Sequence, residues 1–218
     1  MATSKGMEKC LDRHNDISET ISGLLKREEI MKLATVGYPF TPLIKYIPLR
    51  YDNLEHWQRA EQRSVLQFSK GIINHENLEK LTNIILDIVK DNPKKWIVCF
   101  MPAASKERTE ARYGRLSAYL AQVLPCPVTL KAIFNSVDAE PSHLTDNITH
   151  YRSFVYMVND IYKRNVVVID DVICSGTTFH HVGDKLMECG ALSVHGVMFA
   201  ISIHPRLPVN KRKGNEDH

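Results

Sequence analysis

Two uninterrupted apolar runs, Trp96-Ile-Val-Cys-Phe-Met101 and Val166-Val-Val-Ile169, most constrain how this chain can fold. A strand with one wet face alternates apolar and polar residues; a strand without alternation is buried on both faces. Helical periodicity separates the runs. Glu107 to Leu124 predicts a helix with Ala111, Leu116, Leu120 and Val123 on one face. Phe179, Val182, Leu186 and Cys189 line another, closed by Gly190, before a strand from Val194 to Ile203. Continuous strands alternating with helices predict the α/β class, with a parallel-rich central sheet flanked by helices.

The remaining segments fit around this core. Asp16-Ile-Ser-Glu19 has capping-box spacing, and Ile17, Ile21, Leu24 and Leu25 follow at helical intervals. Val36 to Pro48 carries Pro39, Pro42 and Pro48 and reads as loop plus edge strand. Leu54 to Gly71 reads as helix, and Leu78, Leu81, Ile85 and Ile88 mark a helix ended by Asn92-Pro93. Val128, Leu130 and Ala132 suggest a short strand, and Phe154 to Val158 another. The polar stretch from Asn135 to Thr149 reads as a lid, or as a long loop. Pro205 to His218, with Lys211-Arg-Lys213, reads as a solvated tail. The expected division is residues 1–92 as a helical and edge-strand extension or hood part, 93–204 as the core, and 205–218 as a polar tail.

A chain of 218 residues suits one domain and can bury a core without covalent staples. The net charge of +3 does not indicate a nucleic-acid or membrane partner, since both call for clustered positive charge. Five cysteines, Cys10, Cys99, Cys126, Cys174 and Cys189, form no C-x-x-C pair, which suits a reducing compartment and gives no zinc spacing. Met1 to Lys9 lacks an apolar segment of the secretory kind, and no run is long enough to span a bilayer. The expectation is a soluble cytoplasmic protein.

The chemistry concentrates at one strand end. Parallel sheets bind ligands outside the carboxyl ends of their strands. Val166 to Ile169 delivers Asp170-Asp171-Val-Ile-Cys-Ser-Gly-Thr-Thr178 there, with a helix beginning near Phe179. Ser175, Thr177 and Thr178 offer hydroxyls, Gly176 lets the backbone turn, and amide N–H groups converge at the helix start, as a phosphate monoester requires. Two acids beside a phosphate make sense if they accept hydrogen bonds from neutral hydroxyls or help hold a metal ion. The ligand so described has a phosphate next to a vicinal diol, as in a ribose 5-phosphate.

Val166-Val-Val-Ile-Asp-Asp-Val-Ile-Cys-Ser-Gly-Thr-Thr178 closely resembles the phosphoribosyl pyrophosphate (PRPP) signature of type I phosphoribosyltransferases. The resemblance implies that fold. It implies that Asp170 and Asp171 contact the ribose hydroxyls and that Val172, Ile173, Cys174, Ser175, Gly176, Thr177 and Thr178 wrap the 5′-phosphate. It also implies Mg²⁺ carried on the pyrophosphate, with Asp170 and Asp171 as indirect partners. Phe100-Met-Pro-Ala-Ala-Ser-Lys106, Arg112-Tyr113 and Leu120-Ala121 look like the pyrophosphate loop and following helix of the competence-protein ComF branch. Ala103, Ala104, Ser105, Lys106, Arg108 and Arg112 would then meet the pyrophosphate through backbone donors and cations. Gln67-Phe-Ser-Lys-Gly71 and Tyr151-Arg-Ser-Phe154 fall where that branch has similar short motifs, so the likeness covers roughly Val65 to Ile203. The chain departs from the pattern with Cys174-Ser175 in place of paired threonines, with Arg115-Leu116 in place of Asn-Gln, and without N-terminal zinc-binding cysteines.

Plainer readings stand beside these. Asp170-Asp171 can simply end a strand, and Lys106, Arg108, Arg112 and Arg115 can form a solvated helix face. Cys174 near a helix start is a candidate nucleophile with no His–Asp pair to activate it. His180 and His181 read as surface residues, and His143 and His150 lie in the polar stretch. No G-x-x-x-x-G-K, G-x-G-x-x-G or G-x-S-x-G motif is present. The expected activity is Mg²⁺-dependent phosphoribosyl transfer from PRPP to a nitrogenous acceptor with pyrophosphate release, without a side-chain nucleophile. The alternative is a non-catalytic PRPP-binding regulator or a ComF-like nucleic-acid-handling accessory protein. A homodimer would match what is common among such relatives.

Overall fold

In a computed structural model, which describes residues 37–51, 54–136 and 154–203, the two apolar runs become neighbouring strands. β1 (Phe40–Tyr46) leads to α1 (His56–Phe68) and α2 (His75–Val89). β2 (Trp96–Phe100) leads to α3 (Lys106–Val123), the short β3 (Ile133–Asn135) and β4 (Phe154–Tyr156), and the single-turn α4 (Val158–Ile161). β5 (Asn165–Ile173), α5 (Thr177–Glu188) and β6 (Ser193–Ser202) complete the order. The main sheet has four strands in the order β1-β6-β5-β2, and every pairing in it is parallel. β3 and β4 form a separate antiparallel pair.

The missing alternation in the strands has a direct cause. On one face, Phe68, Leu81, Ile85, Tyr113, Leu116 and Leu120 from α1, α2 and α3 pack against Val98, Phe100, Val167 and Ile169. On the other, Phe179, Val182 and Leu186 of α5, with Ile133 and Ile161, pack against Ile97, Cys99, Val166 and Val168. Each fully buried side chain of this kind contributes roughly 1.5–3 kcal/mol. Pro42 sits in β1, an edge strand, where a residue without an N–H is tolerated. At Gly196 a β-carbon would lie 2.7 Å from the Phe179 ring and 2.9 Å from Phe40, so glycine lets α5 and β1 close on β6.

Several local expectations are corrected. The segment from Val128 to Ala132 is not a strand: Val128 makes one isolated parallel bridge to Val98, and β3 begins at Ile133. The Thr129 hydroxyl accepts the Lys131 N–H at 3.0 Å, turning the chain away from β2. On α3 the buried face is Tyr113, Leu116 and Leu120, while Ala111 and Val123 are exposed. A buried tyrosine ring removes far more surface from water than an alanine methyl, so the helix turns that way. β4 ends at Tyr156, and Val158 already opens α4. Cys189 is the C-cap of α5 and, half-buried, packs against the same cluster as Phe179, Val182 and Leu186, as expected. β5 is longer than its apolar run and carries Asp170 to Ile173 within the strand.

The helix expected near Asp16 to Leu25, the stretch from residue 137 to Thr149, His143, His150, residues 151–153 and the tail 205–218 lie outside the described residues. No helix among the described residues is long and apolar enough to cross a membrane.

Candidate functional site

β2 and β5 are adjacent and parallel, so the loops that leave their carboxyl ends are neighbours. The Met101 N–H donates to the Ile169 carbonyl at 2.8 Å and extends the pairing to the brink of the first loop. Pro102, Ala103 and Ala104 are buried there, and Ser105 starts α3 by accepting the Arg108 N–H at 3.3 Å. Thr109 fixes the loop twice. Its hydroxyl accepts the Ala103 N–H at 3.0 Å and donates to the Ser105 carbonyl at 2.8 Å. From the β3 end, Asn135 Nδ2 donates to the Ala103 carbonyl at 2.7 Å. Lys106 and Arg108 are exposed on the first turn of α3, at the electropositive end of an 18-residue helix.

The second loop is Cys174, Ser175 and Gly176. Val172 and Ile173 belong to the strand, paired with Ala200 and Ile201, and Ile173 is buried. Cys174, Ser175, Thr177 and Thr178 are exposed. Gly176 takes the left-handed conformation, φ +78°, at the N-cap of α5, and the Ser175 hydroxyl accepts the Thr177 N–H at 3.4 Å. Ser175 Oγ lies 3.0 Å from Thr177 Oγ1. Amides and hydroxyls at the start of a 12-residue helix are suited to an anion.

Between the loops stand the acids. Asp170 Oδ1 accepts the Asp171 N–H at 2.8 Å, and Asp171 Oδ1 accepts the Val172 N–H at 2.8 Å. Arg112 Nη1 meets Asp171 Oδ2 at 2.6 Å. Loss of hydration pushes the Asp170 carboxyl well above its ordinary range, and the adjacent Asp171 charge adds to the shift. The buried Tyr113 phenol is likewise pushed well above its usual value, by burial first and then by the two acids. Tyr113 OH, Arg112 Nε and Asn135 Oδ1 have no hydrogen-bond partner among the described residues.

The structure therefore brings Asp170, Asp171 and Arg112 together, with Ala103 to Arg108 and Cys174 to Thr178 on either side. Arg115 lies elsewhere, in a groove of about 560 Å³ with Lys70 and Glu110 that contains no residue of either loop. His180 is 3.5 Å from Asp184, which also accepts the Tyr38 hydroxyl at 2.7 Å. Among the described residues no group of three or more His, Cys, Asp or Glu is gathered to hold a metal alone. Sequence reasoning missed Thr109 and Asn135. The Ser105-x-x-x-Thr109 spacing was a usable sign for the first; Asn135 reaches its partner across 32 residues and has no local signal.

No family model matches the chain, and no curated protein matches it. Many solved structures are similar to the chain. A hypoxanthine-guanine phosphoribosyltransferase from Bacillus anthracis is 22% identical at a TM-score of 0.37, over 59% of this chain and 70% of that one. A purine phosphoribosyltransferase from Pyrococcus horikoshii is 16% identical at 0.36, over 59% and 75%. A hypoxanthine phosphoribosyltransferase from Trypanosoma cruzi is 12% identical at 0.40, over 66% and 73%. At these scores the likenesses carry no step of the functional reading, which stands on the two loops and the acids between them.

Proposed function

We propose that this chain binds PRPP and transfers its phosphoribosyl group to a nitrogenous acceptor. One observation carries the reading: an acid pair on β5 runs into a hydroxylated helix start beside a second anion-suited loop on β2. Phosphate, vicinal diol and pyrophosphate each find a chemically matched partner along that edge. The 5′-phosphate would sit at Cys174 to Thr178, the diol at the acids that end β5, with Asp170 the one that has an open oxygen, and the pyrophosphate at Ala103 to Ser105 with Lys106 and Arg108.

In the reaction the acceptor nitrogen bonds to C1 of the ribose as the C1–O bond to pyrophosphate breaks, and pyrophosphate leaves with the electron pair. The transition state resembles an oxocarbenium ion. The chain's own work is to position the sugar, neutralise the leaving group and exclude water. Mg²⁺ fits the acids. Asp170 and Asp171 put carboxylate oxygens side by side with one guanidinium in contact, and a cation nearby would favour the ionised form of Asp170 that burial disfavours. Carried on the pyrophosphate and met indirectly by Asp170 and Asp171, Mg²⁺ would supply charge neutralisation for the departing group.

Thermal unfolding with and without PRPP and Mg²⁺ tests the reading, on the wild type and on Asp170→Asn/Asp171→Asn. Ligand at ~100 times its dissociation constant adds ~2.7 kcal/mol, roughly 5–10 °C here. A shift abolished by the double substitution supports the reading; no shift at millimolar PRPP sinks it. A second reading, a PRPP-binding regulator or ComF-like nucleic-acid-handling accessory protein without turnover, is favoured by Cys174, which offers no hydroxyl where the signature has threonine. Pyrophosphate release across a panel of nitrogenous acceptors separates the two.

A further inference from the structure

Within the phosphoribosyl reading, on which this step rests, we propose that the acid pair is divided in function. Asp170 is the carboxylate that meets the ligand's hydroxyls. Asp171 is a positioning residue that, through Arg112, holds α3 against β5.

The hydrogen bonds separate the two. Both Asp171 oxygens are committed, Oδ1 to the Val172 N–H and Oδ2 to Arg112. Asp170 commits only Oδ1, to the Asp171 N–H, and its Oδ2 meets no donor among the described residues. A hydroxyl that approached Asp171 would have to share an oxygen with the Val172 N–H or the guanidinium, whereas Asp170 Oδ2 offers an oxygen with both lone pairs open. Arg112 and Asp171 are 19% and 26% exposed, so the pair is neither screened nor readily rehydrated in the way of a surface pair. Arg112 Nε already lacks a partner, and removal of Asp171 would take away the one carboxylate in direct contact with the guanidinium. A hydroxyl that approached Asp170 breaks nothing.

The location of the tie gives it a use. Arg112 is the seventh residue of α3, about 10 Å along the axis from Ser105, which ends the loop. Asp171 stands on the strand that enters the other loop. The pair thus sets how far the two anion-suited loops stand apart, a distance that a ligand with phosphates at both ends of one sugar must match. Arg112, which the motif likeness placed among the pyrophosphate contacts, becomes the brace between subsites.

The test combines ligand-free unfolding with PRPP–Mg²⁺ titration by calorimetry, on wild type, Asp170→Asn, Asp171→Asn, Arg112→Gln and Arg112→Gln/Asp171→Asn. Asp170→Asn should weaken PRPP at least tenfold without lowering the ligand-free melting temperature. Asp171→Asn and Arg112→Gln should each lower that temperature, and the double variant should be no worse than the poorer single. Its PRPP affinity should return to within a few-fold of wild type, because no unpaired charge remains.

If Asp171→Asn loses PRPP tenfold and the double variant loses it equally, Asp171 touches the ligand and the division is wrong. If the two single melting-temperature losses simply add, there is no tie. Failure of the wild type to bind millimolar PRPP overturns the phosphoribosyl reading and Asp170's role with it. The ligand-free cycle still decides the tie in that case.

Discussion

Asn135 and Ala103 are joined by a 2.7 Å hydrogen bond from side-chain amide to carbonyl, which fastens the β3–β4 pair to the loop after β2. The loop carbonyl would otherwise be stranded among buried residues. Asn135→Ala is expected to cost about 1–2 kcal/mol, roughly 3–6 °C in melting temperature. It should also weaken inorganic pyrophosphate. Asn135→Asp, which replaces the donor with a second acceptor, should be worse than alanine. Equal melting temperatures for alanine and wild type would show that the bond does not hold the loop.

The Asp170 carboxyl predicts a pH dependence with a definite sign. Its folded-state pKa is raised, by lost hydration first and then by Asp171. The folded protein therefore keeps a proton that the unfolded chain releases above pH ~4. Stability is lost as pH climbs from there toward the raised value. Asp170→Asn removes this loss, so the variant should melt higher than wild type near neutrality. The gap should shrink toward pH 4. Ligand-free melts across that range decide it, and a gap that widens on acidification would contradict the assignment.

Gly176 adopts φ +78° between β5 and α5. An alanine there should cost roughly 1–2 kcal/mol, the penalty of a β-carbon in left-handed backbone. Phosphate or sulfate protection in a melt should drop in the same variant, because the amides at the helix start shift with the turn. Gly176→Ala with unchanged stability would mean that the turn relaxes freely.

Helix α3 can be checked by two truncations. Leu120→Ala, fully buried, should cost about 2–5 kcal/mol. Val123→Ala, at a residue 41% exposed, should stay within about 0.5 kcal/mol. Urea unfolding measures both.

The sheet was legible because burial on both faces leaves a signature in a single strand: Val166 to Ile169 cannot be an amphipathic strand. The loop from Cys174 to Thr178 was legible because its chemistry is contiguous. What escaped was decided between distant segments. Tyr113 is buried because Phe68 and Phe100 lie around it, and nothing near it in sequence says so. Thr129 turns the chain before β3 through one hydroxyl, which shifts the strand beyond Ala132. The Arg112–Asp171 pair joins a helix to a strand that no local periodicity relates.

The parallel register of β1 with β6, Phe40 beside Gly196 and Tyr46 beside Ser202, gives assembly a sequence in time. β1 is the first described strand and β6 the last, so a chain emerging from the ribosome holds β1 without its neighbour until every other described strand has been made. Closing so long a loop is slow, which places such topologies in the slower range of domain folding. An unpaired strand in that interval is an invitation to aggregate. Pro42, which has no amide hydrogen to offer, guards β1 during the wait.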